Sequence, residues 1–79
     1  MRYDKDKVDE MVLALMWLVM HSDGDAVRAW KGFDWDTLDR LHEKGFISDP
    51  KSKAKSVALS NQAVELSEAL FKKNFGIKS

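Results

Sequence analysis

The hydrophobic pattern opens on one unbroken apolar run, Met11 to Met20, preceded by Asp4, Asp6, Asp9 and Glu10. Acids ahead of an apolar run are placed where a helix macrodipole favours them, so a first helix is expected from about Asp6 to about Met20. Helical spacing puts Val8, Met11, Val12, Leu15, Leu18 and Val19 on one face, and Leu13, Trp17 and Met20 largely on another. One packing surface cannot cover both, so the helix is expected to be central or to lie in an oligomer interface. Ser22 or Asp23 is the cap expected for a short second helix running through Lys31, with Ala26, Val27 and Trp30 on one side and Gly32 as its stop. Asp34 then caps a third helix, and Phe33 before it stands at the offset that packs on Leu38. Trp35, Leu38 and Leu41 form its expected inward stripe, and Gly45 ends it.

After Gly45 the period changes from that of a helix to that of a strand. Ile47 begins a strand, Asp49-Pro50 a turn, and Lys55 to Leu59 a return strand with Val57 and Leu59 pointing inward. The loop between them, residues 51–55, has the position of a wing. Ser60 caps the last helix, whose stripe is Ala63, Val64, Leu66, Ala69, Leu70 and Phe71, with Phe75 and Gly76 at its end. Two helices joined by a three-residue turn containing glycine make a helix-turn-helix. The expected fold is therefore mainly α with a small β-hairpin, one winged helix-turn-helix-like domain over residues 1–79.

Length and composition narrow the function. A core from 79 residues is marginal for an isolated chain, so added burial against a partner would help. Hydrophobic content of 44% and charged content of 33% fit a folded chain. The absence of cysteine excludes disulfides, thiolate metal sites and cysteine nucleophiles and points to the cytoplasm. The apolar run extends only about 15 Å as a helix, half a bilayer core. Its acidic flank and the sequence His21-Ser22-Asp23 are unlike a secretory leader, so neither membrane nor export is expected. Net charge is zero but polarised, with six basic and ten acidic residues through Glu43 against seven and three from Lys44 onward. That distribution favours mixed-charge or head-to-tail protein contacts over a broad nucleic-acid face.

Ala29-Trp30-Lys31-Gly32-Phe33-Asp34-Trp35, Leu41-His42-Glu43-Lys44-Gly45, Ile47-Ser48-Asp49-Pro50 and Lys53-Ala54-Lys55-Ser56-Val57 resemble a family of small bacterial proteins of unknown function. The likeness covers nearly the whole chain; it implies a bacterial, single-domain protein and carries over no catalytic residue. More loosely, Leu38 to Leu70 is similar to the C-terminal half of winged-helix regulators of the multiple-antibiotic-resistance and phenolic-acid types, with Leu59-Ser60 in place of their Leu-Thr cap. The departure is electrostatic: Asp34, Asp36, Asp39 and Glu43 outnumber Arg40 and Lys44 on the helix that would read DNA.

No constellation calls for a cofactor or catalysis. Asp39, His42 and Glu43 share a helix side, but the second histidine of a zinc-protease motif would fall where Phe46 stands. Asp23-Gly24-Asp25 resembles a calcium-loop fragment without its bidentate glutamate and reads as helix-start chemistry. His21 reads as a dipole-favoured residue at a helix end. No serine has a base and orienting acid, and no glycine-rich phosphate cradle exists. The expectation is a non-enzymatic module without metal or cofactor, whose partner is a protein, a second copy or another chain. Met16, Trp17 and Met20 are the expected self-association residues, and Trp30 and Trp35 serve structure or docking. The alternative is a DNA-binding regulator using Thr37, Arg40 and Lys44 of the third helix with Lys51, Lys53 and Lys55 of the wing.

Overall fold

A computed structural model describes residues 1–78. Along the chain run α1 (Lys5–Met16), a single 3-10 turn (Trp17–Val19), β1 (Met20–Asp23), β2 (Ala26–Trp30), α2 (Trp35–Glu43), β3 (Ser56–Leu59) and α3 (Asn61–Phe75). The strands form one antiparallel sheet in the order β1-β2-β3. The result is one small mixed α/β domain, with the helices against one face of the sheet.

Helix ends follow their capping chemistry. The Asp4 carboxylate accepts from the Lys7 amide at 3.1 Å, Asp34 from the Thr37 amide at 3.1 Å, and the Ser60 hydroxyl from the Ala63 amide at 3.1 Å. At the end of α2, Gly45 adopts φ +81°, its amide donates to His42 O, and the Phe46 amide donates to Leu41 O. These are the two bonds of a Schellman motif, and the left-handed backbone is why glycine stands there.

The expected helix over residues 22–31 is instead a β-hairpin. Asp23-Gly24-Asp25-Ala26 is a two-residue turn in which Gly24 has φ +62° and Asp25 does not enter positive φ, the geometry of a tight hairpin. Val27 and Ala29 face inward with Met20 and Ser22, whereas Arg28 and Trp30 face out with His21. Alternation of period two overrode the weak helical stripe of Ala26, Val27 and Trp30. No helix therefore precedes α2 across a short turn, and the expected helix-turn-helix is not formed. The same pairing stops α1 at Met16, because Met20 to Asp23 are drawn into the sheet.

Ile47 meets Leu59 only as an isolated bridge, flanked by Ser48 N–H to Ala58 O at 2.9 Å and Ser60 N–H to Phe46 O at 3.0 Å. The full-length partner of β3 is β2, and the expected hairpin between Ile47 and Leu59 is reduced to that contact.

Leu13, Met16, Ala29, Leu38, Leu41, Ile47, Val57, Leu59 and Ala63 form the core. The side of α1 that enters it carries Asp9, Leu13 and Met16, opposite the face expected from Val8, Met11 and Leu15. Those three residues, with Tyr3 and Val12, line an open apolar groove of about 360 Å³. Ser67 of α3 locks the helices together by donating its hydroxyl to Leu13 O at 2.6 Å.

Candidate interaction surfaces

The buried charge of the molecule sits between α1 and α2. Asp9 is 1% exposed and accepts from Arg40 Nε at 2.7 Å and Lys44 Nζ at 2.9 Å, while Lys44 also reaches Asp6 at 3.2 Å. Arg40 further donates to Thr37 Oγ1, which donates to the capping Asp34. The hydrogen bond to Asp9 raises the pKa of both Arg40 and Lys44, which favours the cationic form of each beside the buried carboxylate. Burial of a carboxylate is tolerated because two cations satisfy it. The three α2 residues expected to contact DNA are thus turned to internal work: Thr37 is buried, and Arg40 and Lys44 spend their charge on Asp9. Lys51, Lys53 and Lys55 remain exposed on the loop before β3.

The expected self-association residues separate. Met16 is fully buried and cannot meet a partner, which corrects its assignment to an interface. Trp17 and Leu18 are 36% and 66% exposed and, with Met20, His21, Ser22, Val27 and Val64, line a groove of about 500 Å³ beside β1. Trp30 is 52% exposed on the open face of the sheet, where its ring lies 4.8 Å from that of His21. Trp35, expected on the inward stripe of α2, is 59% exposed at the first turn, and Thr37 takes the buried position instead.

β1 is an outer strand, and the hydrogen-bond phase of the sheet tells which of its groups are free. Lys31 N–H donates to Lys55 O at 3.2 Å, so alternate residues of β2 turn toward β3 and the intervening Arg28 and Ala26 turn toward β1. Their partners His21 and Asp23 are thereby paired. The backbone groups of Met20 and Ser22 point away from the sheet, next to the Trp17 and Leu18 groove. Edge strands of this kind are templates for another strand unless they are blocked, and no lysine or proline lies within Met20–Asp23. The signal for this edge in the sequence was Gly24-Asp25, a two-residue hairpin loop with glycine first, between alternating residues.

Asp39, His42, Glu43, Asp49 and Lys51 border a shallow polar depression, and His42 Nδ1 lies 2.9 Å from Ile47 O. Among the described residues no group of three His, Cys, Asp or Glu side chains is arranged to hold a metal ion, and no helix is long and apolar enough to cross a membrane.

A family model described as a domain of unknown function, DUF6429, matches residues 4–77. A curated relative, "Uncharacterized protein y4hR" of Sinorhizobium fredii (strain NBRC 101917 / NGR234), is 51% identical over 75 residues, covering 95% of this chain and 97% of the relative. No solved structure matches the chain.

Proposed function

Because the chain belongs to the DUF6429 family, whose description names no activity, we propose from the geometry that it is a non-catalytic bacterial module that works by self-association through β1. The observation that carries this reading is the unpaired edge of β1 running beside the exposed Trp17 and Leu18. An antiparallel second copy is the occupant whose side chains are complementary by hydrogen bonding. His21 and Asp23 flank Ser22 on the same open face, so setting Ser22 against Ser22 of the copy places His21 opposite Asp23 twice. The two sheets then join as one six-stranded sheet, and the copies bury the apolar groups at their shared edge. Of the residues expected to self-associate, Trp17 and Met20 remain in this interface and Met16 does not.

Sedimentation over a range of concentrations tests it. The expected result is a mass rising from 9.0 kDa toward twice that value, with Trp17→Ala, Leu18→Glu and Ser22→Pro remaining at the single-chain mass. Ser22→Pro removes an outward amide and leaves the β1–β2 bonds intact. A wild-type protein that stays at one chain mass at every concentration overturns the proposal.

The alternative, a winged regulator reading duplex DNA with α2 and the 51–55 loop, is supported by the order α2, Ile47–Leu59 bridge, β3, α3 and by three exposed lysines. It is opposed by the capture of Arg40 and Lys44 by Asp9. Duplex binding that survives Lys51→Glu, Lys53→Glu and Lys55→Glu together would count against it.

A further inference from the structure

The β1 edge carries two titratable side chains, and the Ser22-centred register of a second copy brings them face to face. His21 and Asp23 stand on the open face of β1, one on each side of Ser22. Among the described residues neither is in an ion pair within the chain. Asp23 is exposed and His21 half-buried. Along one strand the two positions are about 7 Å apart, whereas residues directly opposite in an antiparallel pair have Cβ atoms about 5 Å apart. In the dimer His21 is directly opposite Asp23 of the other copy, and the two-fold axis makes this pair twice. Asp25 of each copy falls opposite Val19 of the other.

The surroundings of His21 decide what a proton does there. Its Nδ1 lies 3.4 Å from Val19 O, a carbonyl that can only accept. A neutral imidazole has one N–H and donates either to Val19 or to Asp23 of the other copy; an imidazolium has two and donates to both. Trp30 of β2 sets its ring 4.8 Å from the imidazole, and Arg28 of β2 is the residue directly across. The Arg28 guanidinium is drawn toward β3, where it donates to the hydroxyl and carbonyl oxygens of Ser56, each at 2.7 Å. The 3-10 turn and α3 contribute Trp17, Leu18 and Val64 to the groove beside His21, none of them charged. Arg28 and Trp30 face His21 in the single chain and in the dimer alike, so the charged group gained on association is Asp23 of the other copy. Residues 20–30 hold two acids, Asp23 and Asp25, and one base, Arg28, a net charge of −1 per copy that becomes zero when His21 is protonated. Acid therefore removes a like-charge repulsion between the two hairpins as well as adding a donor.

We propose that the β1 edge is regulated by pH, protonation of His21 tightening the dimer through a charged hydrogen bond to Asp23 of the other copy. This rests on the self-association through β1 described above and supplies its control. Histidine is the side chain whose charge ordinarily changes between about pH 5 and pH 8, so mild acidification is the signal. The dimer binds more protons than two single chains, and by linkage a falling pH drives association, with up to two protons taken up per dimer formed. One opposite-charge pair across two strands strengthens their pairing by a factor of about 1.5 to 5, and two equivalent pairs strengthen it about two- to thirtyfold.

The test is sedimentation equilibrium of the full chain at about pH 8 and about pH 5.5, with circular dichroism at each pH to show that the chain and every variant are folded. The dissociation constant of the dimer should fall about two- to thirtyfold at the lower pH. His21→Gln keeps a side-chain donor but cannot gain a charge, and Asp23→Asn removes the charge that His21 meets; each should associate with the same constant at both pH values. His42→Gln, whose ring sits on α2 against Ile47 O, should keep the wild-type response. A wild-type constant that changes by less than twofold, an association that weakens on acidification, or a pH response that survives in His21→Gln overturns the proposal. A dimer indifferent to pH leaves self-association standing, whereas a single-chain mass at every concentration and both pH values overturns self-association itself, so the two failures are told apart.

Discussion

Replacement of Asp9 by Asn keeps the shape of the side chain and removes the charge on which α1 and α2 converge. In the native protein both carboxylate oxygens are used, by Arg40 at 2.7 Å and Lys44 at 2.9 Å, with only 2% of the side chain exposed. The amide retains one acceptor and turns an NH2 group toward a cation. Breaking a fully buried pair costs about 3–5 kcal/mol, most of it from the uncompensated charge left behind. Here the residues left behind are Arg40 and Lys44, whose side chains are 20% and 38% exposed and can turn to water. The expected loss is therefore smaller, about 2–3 kcal/mol, which for a chain of this size lowers Tm by roughly 8–24 °C. Urea unfolding followed by circular dichroism, with thermal melts beside it, measures it. A loss below about 0.5 kcal/mol, the range of ordinary surface substitutions, would refute the reasoning that Asp9 organises the two helices.

Other outcomes follow from the same geometry. Lys44 has its pKa raised above 10.5, so its contribution to stability is fully present below that unfolded-state value and is lost as pH rises through the higher folded-state value; the stability difference between wild type and Lys44→Met should close in alkaline titration, and a difference independent of pH would contradict it. Gly24→Ala introduces a Cβ that meets no atom within 4 Å, but at φ +62°, so its cost of about 1–2 kcal/mol is purely conformational and should appear in urea unfolding. Leu41→Ala, at 1% exposure in the core, should cost about 2–5 kcal/mol by the same assay. Across the proposed dimer, Asp23→Lys should weaken association and His21→Glu in the same chain should restore it, read by sedimentation; additive weakening would contradict the Ser22-centred register.

The parts of the fold legible in the sequence are those governed by local chemistry. Asp34 and Ser60 announced helix starts through side-chain caps, and Gly45 announced a helix end through its tolerance of positive φ. Residues 22–31 were illegible because Ala26, Val27 and Trp30 satisfy a helical stripe as well as Val27 and Ala29 satisfy a strand. Only pairing with β1 and β3 decides between the two. From Met11 onward every position of α1 is apolar, so composition could not say which side the core would take; Asp9, read as a partner of the helix dipole, marks that side because Arg40 and Lys44 reach it from α2. Trp35 looked like core by its spacing to Leu38, but the first turn of α2 leaves it in solvent. The candidate surfaces were half legible. Trp17, Trp30 and the loop lysines stood out as residues, whereas the free edge of β1 exists only once the sheet has formed.

Amide hydrogen exchange at Ser22, followed as protein concentration is raised, tests the β1 edge most directly. His21 and Asp23 are paired to β2 and should be protected at every concentration, which makes them internal references. Self-association through this edge predicts that Ser22 exchanges freely in dilute protein and gains protection with concentration, and that Leu18→Glu abolishes the gain. A Ser22 amide that exchanges freely at all concentrations, in a protein whose His21 amide is protected, would contradict the account.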